Sequence, residues 1–210
     1  MRTKWRLALA ALAITFALSA PIQATETSPI EIKSSEQAAA LLQPGGYVIY
    51  LRHAATDHSQ KDRSYVFFSD CSTQRNLSAL GRQQSGEIGA AFEKADIKVG
   101  LVLTSPYCRC AETAEMAFGK AEMHDFLAFS TLSGPEKRAS DAEELRQELQ
   151  TPPVRGTNTV IVSHTGNLRE AVKIWPKPEG VMFVFDPESA TPLAPIARIA
   201  PEIWMQASER

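Results

Sequence analysis

Tyr47 to His53 reads YVIYLRH, and no other stretch constrains the fold as tightly. Five residues with strand propensity run directly into Arg52 and His53, so an apolar strand delivers a guanidinium and an imidazole together at its carboxyl end. In an open α/β sheet that edge is where ligands bind. Arg52 is a permanently charged fork suited to a tetrahedral anion, and His53 offers a nitrogen that is partly neutral at pH 7. If the strand ends at Leu51 both side chains can face one site; if it continues they alternate. An Arg-His pair is also a common polar exit from a core, so its meaning depends on partners further along.

Two later runs repeat the arrangement. Gly100 to Thr104 is a second apolar strand, followed by a turn at Ser105 and Pro106 and a helix over Cys108 to Phe118 that opens with Arg109. Thr159 to Val162 is a third, followed by Ser163, His164 and a helix from Asn167 to about Val172, whose free backbone N–H groups suit an anion. Further helices are expected from a Ser34 or Ser35 cap to Leu42, from a Ser78 cap to about Lys94, and from Ser140 or Asp141 to about Leu149. Strands alternating with helices imply right-handed crossovers and a largely parallel central sheet in a three-layer α/β/α sandwich. A short strand is expected at Phe126 to Phe129, an edge hairpin from Val181 to Phe185 and Leu193 to Ile199, and a closing helical turn at Pro201 to Met205. Ala54 to Asn76 is a long polar loop placed over the site.

With the three carboxyl ends on one edge, Arg52, His53, Arg109 and His164 converge, and a cluster of that charge calls for a dianionic phosphoryl group. Neutral His53 would attack phosphorus, Arg52 and Arg109 would neutralise the equatorial oxygens, and a protonated His164 would donate a further hydrogen bond. Water would then hydrolyse the phosphohistidine. No metal or cofactor is required, because these groups supply the positive charge.

The 22 basic and 24 acidic residues of the 210 leave a net charge of -2, which gives no reason to expect nucleic acid. Arg2, Lys4 and Arg6 precede an apolar run from Leu7 to Leu18 and small residues up to Ala24, a secretory signal that implies an exported, periplasmic protein with no membrane anchor after its removal. The organisation expected is a signal peptide over 1–24, a linker and short helix over 25–46, and one domain over 47–210. In an oxidising compartment the three cysteines cannot all pair within the chain. Cys71 is expected to bridge Cys108 or Cys110, with Cys108 favoured because it precedes the helix proper; three buried thiols are the alternative.

Four segments, LRHA at Leu51 to Ala54, QRNLSALGRQQ at Gln74 to Gln84, TSPYCRCAETA at Thr104 to Ala114 and VSHTGN at Val162 to Asn167, together resemble the histidine phosphatase superfamily, the phosphoglycerate-mutase-like fold. The resemblance implies His53 as the phosphorylated nucleophile, with Arg52, Arg109 and His164 as the phosphate pocket, and a small phosphorylated substrate. Arg75, Ser59 and Asn167 become candidate substrate contacts. Thr165 stands where the second branch places its proton-donating Asp, which leaves the first branch, whose donor is a Glu beyond the second Arg; Glu136 falls near that distance. The usual RHG is RHA here. The competing class is a degenerate phosphatase that binds an anion without turning it over. His58, His124, Asp57 and Asp70 read as solvated loop groups.

Overall fold

The computed structural model describes residues 28–205. The expected signal segment lies outside them. Seven strands form one sheet in the order β1-β7-β6-β2-β5-β3-β4, with β1 Ile30–Glu31, β2 Val48–Arg52, β3 Val99–Thr104, β4 Glu122–Met123, β5 Asn158–Ser163, β6 Met182–Phe185 and β7 Ala197–Ile199. Every pairing is parallel except those of β6 with β2 and β7. Among the described residues six helices flank it: α1 Ser35–Leu42, α2 Ala79–Lys94, α3 Cys108–Phe118, α4 Pro135–Leu149, α5 Thr165–Val172 and α6 Glu202–Met205. The architecture is the expected three-layer α/β/α sandwich.

The alternation of side chains along the two central strands divides the core. Ile49 and Leu51 of β2 join Val160 and Val162 of β5 against α1, α2, α3 and α6, whereas Val48, Tyr50 and Ile161 face α4 and α5. Both strands are buried on both faces, which explains their continuous apolar sequence. Ser34 and Ser78 cap α1 and α2 as their positions suggested, each hydroxyl accepting a backbone N–H three residues on. Ahead of β2 the chain turns through Gly45 and Gly46, both at positive φ, where a side chain would be strained. Gly81 has a different reason to lack a side chain. A Cβ there would lie 1.9 Å from the Ala55 carbonyl, so α2 packs directly on the backbone that follows His53.

Several elements depart from expectation. Ile30–Glu31, within the stretch read as linker, pairs with β7 and covers the sheet edge there, so β6 and β7 are antiparallel neighbours but not an edge hairpin. The strand expected at Phe126 to Phe129 is a pair of single 3-10 turns, Asp125–Leu127 and Ser130–Leu132; the edge strand is β4, just before them. Helix α4 starts at Pro135 rather than Ser140, because proline at the first helical position has a suitable φ and no N–H to satisfy.

Candidate active site

Strand register brings the two histidines together. Arg52 on β2 is paired with Ser163 on β5, so the next residues, His53 and His164, leave adjacent strands side by side, with ring centroids 5.4 Å apart. The His53 N–H donates to the Ser163 carbonyl at 3.0 Å, carrying the ladder one step past the strand end. On the other side of β5, Ser105 follows β3 and donates its N–H to the Val162 carbonyl at 3.0 Å, which starts α3 beside the same edge. Arg109, in the first turn of α3, is 1 % exposed, and His53 and His164 are 2 % and 1 %. Strand β2 includes Arg52, so Arg52 and His53 alternate, yet both stay at the site because the strand ends between them.

The imidazoles are neutral at pH 7. Burial holds the His53 pKa well below its ordinary value, and the charge of Arg109 is the next cause; the same two causes act, in the same order, on His164. The protonated His164 expected from the sequence is therefore not the form that these surroundings hold; a dianion among the same groups would act in the opposite sense. His53 Nδ1 lies 2.9 Å from the Ala54 carbonyl, and a carbonyl can only accept, so Nδ1 carries the proton and Nε2 keeps its lone pair. His164 is fixed by Ser105 Oγ at 2.8 Å from Nε2, and its carbonyl accepts from the Tyr50 hydroxyl at 2.6 Å. Its ring also packs on Tyr107 and Phe129. The free thiol of Cys110, 3.5 Å from His164 Nε2, is pushed by burial up to about 12 and stays protonated.

Each arginine is clamped on its terminal nitrogens by a carboxylate that sequence reasoning passed over. Arg52 Nη2 donates to Glu179 Oε1 at 3.1 Å and Nη1 to the Pro176 carbonyl at 3.1 Å. Arg109 Nη1 donates to Asp62 Oδ1 at 3.0 Å and to the Arg75 carbonyl at 3.3 Å, with its guanidinium carbon 4.5 Å from the centre of the Tyr107 ring. In both residues Nε is buried and has no acceptor in the protein, so each fork keeps a donor for something else.

The other candidates fall in different places. Arg75 is at the rim: Nη2 lies 3.8 Å from Glu179 Oε1 and Nη1 3.2 Å from His58 Nδ1. His58, read as a solvated loop residue, is exposed but touches both members of this group, its Nε2 lying 3.6 Å from Glu179. Ser59 is turned away, its hydroxyl donating to Asp57 at 2.7 Å within a local turn. Asn167 is buried and spends its amide on the Phe126 and Ala128 carbonyls, which ties the 3-10 turn after β4 to α5. Glu136 lies exposed in the first turn of α4, where an acidic residue suits the helix dipole, and makes none of the contacts that assemble the cluster.

The loop over the site is held from two sides. Cys71 and Cys108 form the expected bridge, with Cα atoms 5.8 Å apart and a sequence separation of 37. Gln74 adds to it, its Oε1 accepting from the Cys108 N–H at 2.9 Å. Closing a loop of this length stabilises the fold by roughly 3 kcal/mol, chiefly through the unfolded chain. The loop also carries Asp62 and Arg75 to Arg109, so reduction is expected to lower both the melting temperature and, by about tenfold or more through misplacement of the rim, the rate of any chemistry at this site. Thermal melts and assays with and without dithiothreitol check this; unchanged values in protein shown to be reduced would remove the tethering role.

The sheet edge thus gathers two clamped guanidiniums and two neutral imidazoles. The model of the histidine phosphatase superfamily (branch 1) matches residues 48–127. Comparison with curated proteins gives no match. Among solved structures the chain is similar to a phosphoglycerate mutase from Thermus thermophilus, at 18% identity and a TM-score of 0.49, covering 73% of this chain and 98% of that one. It is also similar to a phosphoserine phosphatase from Entamoeba histolytica crystallised with phosphoserine, at 15% identity and a TM-score of 0.45, covering 66% of this chain and 89% of that one.

Proposed function

We propose that this chain is an exported, metal-independent phosphatase that hydrolyses a small phosphomonoester through a phosphohistidine on His53. The observation that carries the reading is the fixed tautomer of a neutral His53, whose Nδ1–H is bound to the Ala54 carbonyl at 2.9 Å. Nε2 is the nucleophile. Arg52 and Arg109 take the phosphoryl oxygens through the donors that the protein leaves unpartnered, and His164, held by Ser105, adds a further contact on the oxygen where charge builds. Arg75 is a rim contact for the rest of the substrate. The match to the superfamily over residues 48–127 supports the same assignment, and the signal-like segment from Met1 to Ala24 supports a periplasmic location.

The degenerate reading, an anion-binding protein without turnover, draws on one observation: Glu136 is out of the cluster, on the exposed face of α4. Hydrolysis of p-nitrophenyl phosphate in excess EDTA separates the two. Multiple turnovers are expected, because the guanidiniums supply the positive charge that a metal supplies elsewhere. Phosphate binding with no release of nitrophenol would establish the binding protein instead.

A further inference from the structure

Two carboxylates reach the phosphate pocket, and they are placed differently. Glu179 has both oxygens occupied: Oε1 accepts from Arg52 Nη2 at 3.1 Å and from the Thr56 hydroxyl at 2.9 Å, and Oε2 accepts from the Thr56 N–H at 2.9 Å. Asp62 accepts two bonds, from Arg109 Nη1 at 3.0 Å and from the Arg75 N–H at 2.9 Å, and both fall on Oδ1. Oδ2 is the one carboxylate oxygen of this group that receives neither.

Position points the same way. Arg109 is 1 % exposed and the side chain of Asp62 is 18 % exposed, so Asp62 covers Arg109 from the solvent side. A phosphoryl group seated on buried His53 and Arg109 must direct its ester oxygen outward, because only that side can hold the rest of the substrate. Arg109 Nε has no acceptor in the protein. Phosphoryl oxygens taken there would lie on the same guanidinium as Asp62, one fork width from its carboxyl group.

We propose that Asp62 is the general acid that protonates the leaving oxygen, a proposal that rests on the phosphatase reading above. In the first step the bond between His53 Nε2 and phosphorus forms as the ester P–O bond breaks. The electron pair goes to the leaving oxygen, and the proton on Asp62 Oδ2 passes to it, releasing an alcohol. In the second step water attacks phosphorus, the P–N bond breaks and its electron pair returns to Nε2. The proton lost by water restores the Asp62 carboxyl.

Asp62→Asn is the test, because the amide oxygen still accepts from Arg109 and from the Arg75 N–H while the transferable proton is lost. With an alkyl phosphate kcat/KM is expected to fall by about 10²-fold or more. With p-nitrophenyl phosphate, whose leaving oxygen needs little protonation, the fall should stay within about fivefold. Across a series of ring-substituted phenyl phosphates the dependence on leaving-group acidity should steepen in Asp62→Asn and stay shallow in Asp62→Glu, which keeps the carboxyl. Equal losses on alkyl and nitrophenyl esters, or an unchanged dependence in the series, would overturn the donor role while leaving the phosphatase reading in place. An unaltered protein that hydrolyses neither ester would bring down that reading, and this proposal with it.

Discussion

His53→Ala is expected to lower turnover of p-nitrophenyl phosphate by at least about 10⁴-fold and to abolish acid-labile phosphoryl labelling of the protein. The loss should appear in kcat, since Arg52 and Arg109 remain to bind phosphate. The ring is 2 % exposed and packs against His164, so the substitution also leaves a small cavity, and binding of inorganic phosphate by the variant has to be measured beside its rate. A variant that binds phosphate, carries no label and does not turn over is the expected outcome. One that still turns over at a comparable rate would rule out phosphohistidine at this position.

The same variant has a second readout in stability. Burial keeps His53 and His164 neutral in the folded protein, with pKa values well below the ordinary one. In the unfolded chain both take up protons below about pH 6.5. As pH falls from 7 toward 5 the unfolded state therefore gains protons that the folded state refuses, and stability declines by up to about 1.4 kcal/mol per pH unit for each histidine. Removing His53 removes one of the two contributions, so the acid side of the stability curve should be shallower in His53→Ala than in the unaltered protein. Denaturant melts at several pH values measure this, and an equal or steeper slope would contradict the neutral, buried state assigned to His53.

Much of this arrangement was legible in the sequence because its causes are local or periodic. The three apolar runs could be read as central strands since each is too continuous for a half-exposed strand, and the order of strands and helices puts their ends on one edge. Ser34 and Ser78 mark helix starts by a local hydrogen bond that depends on little else. The Cys71–Cys108 bridge was the favoured one of two pairings that would tether the loop beside Arg109. What escaped was set by tertiary contact. Glu179 lies 127 residues after Arg52 and Asp62 lies 47 before Arg109, and a carboxylate in a polar loop has no pattern to distinguish it from a solvated one. The one available signal was a charge balance, since two converging guanidiniums call for counter-charges near by. Two-residue strands such as β1 and β4 leave too short a pattern to be seen, and sequence distance from Arg109 does not tell which way Glu136 faces on α4, where it is exposed.

Arg109→Lys is expected to be nearly as damaging as loss of a catalytic donor, lowering kcat/KM by about 10²- to 10³-fold. The reason is the division of work across one guanidinium. Nη1 is used by Asp62 at 3.0 Å and by the Arg75 carbonyl at 3.3 Å, while Nε is buried without an acceptor and is the donor that the proposed reading assigns to the phosphoryl group. The plane of the fork is also held against Tyr107, 4.5 Å from the ring centre, with Phe129 at 5.8 Å. An ammonium on a flexible stem has the charge but not the fixed fork. It can pair with Asp62, which leaves the phosphoryl oxygens short of a donor, or turn to the phosphoryl group, which releases Asp62 and the loop around it. Weaker competitive inhibition by inorganic phosphate should accompany the loss of rate if the missing contact is to the phosphoryl oxygens. A lysine variant with near-native rate and undiminished phosphate inhibition would place Arg109 outside the pocket and leave its contact with Asp62 a purely structural one.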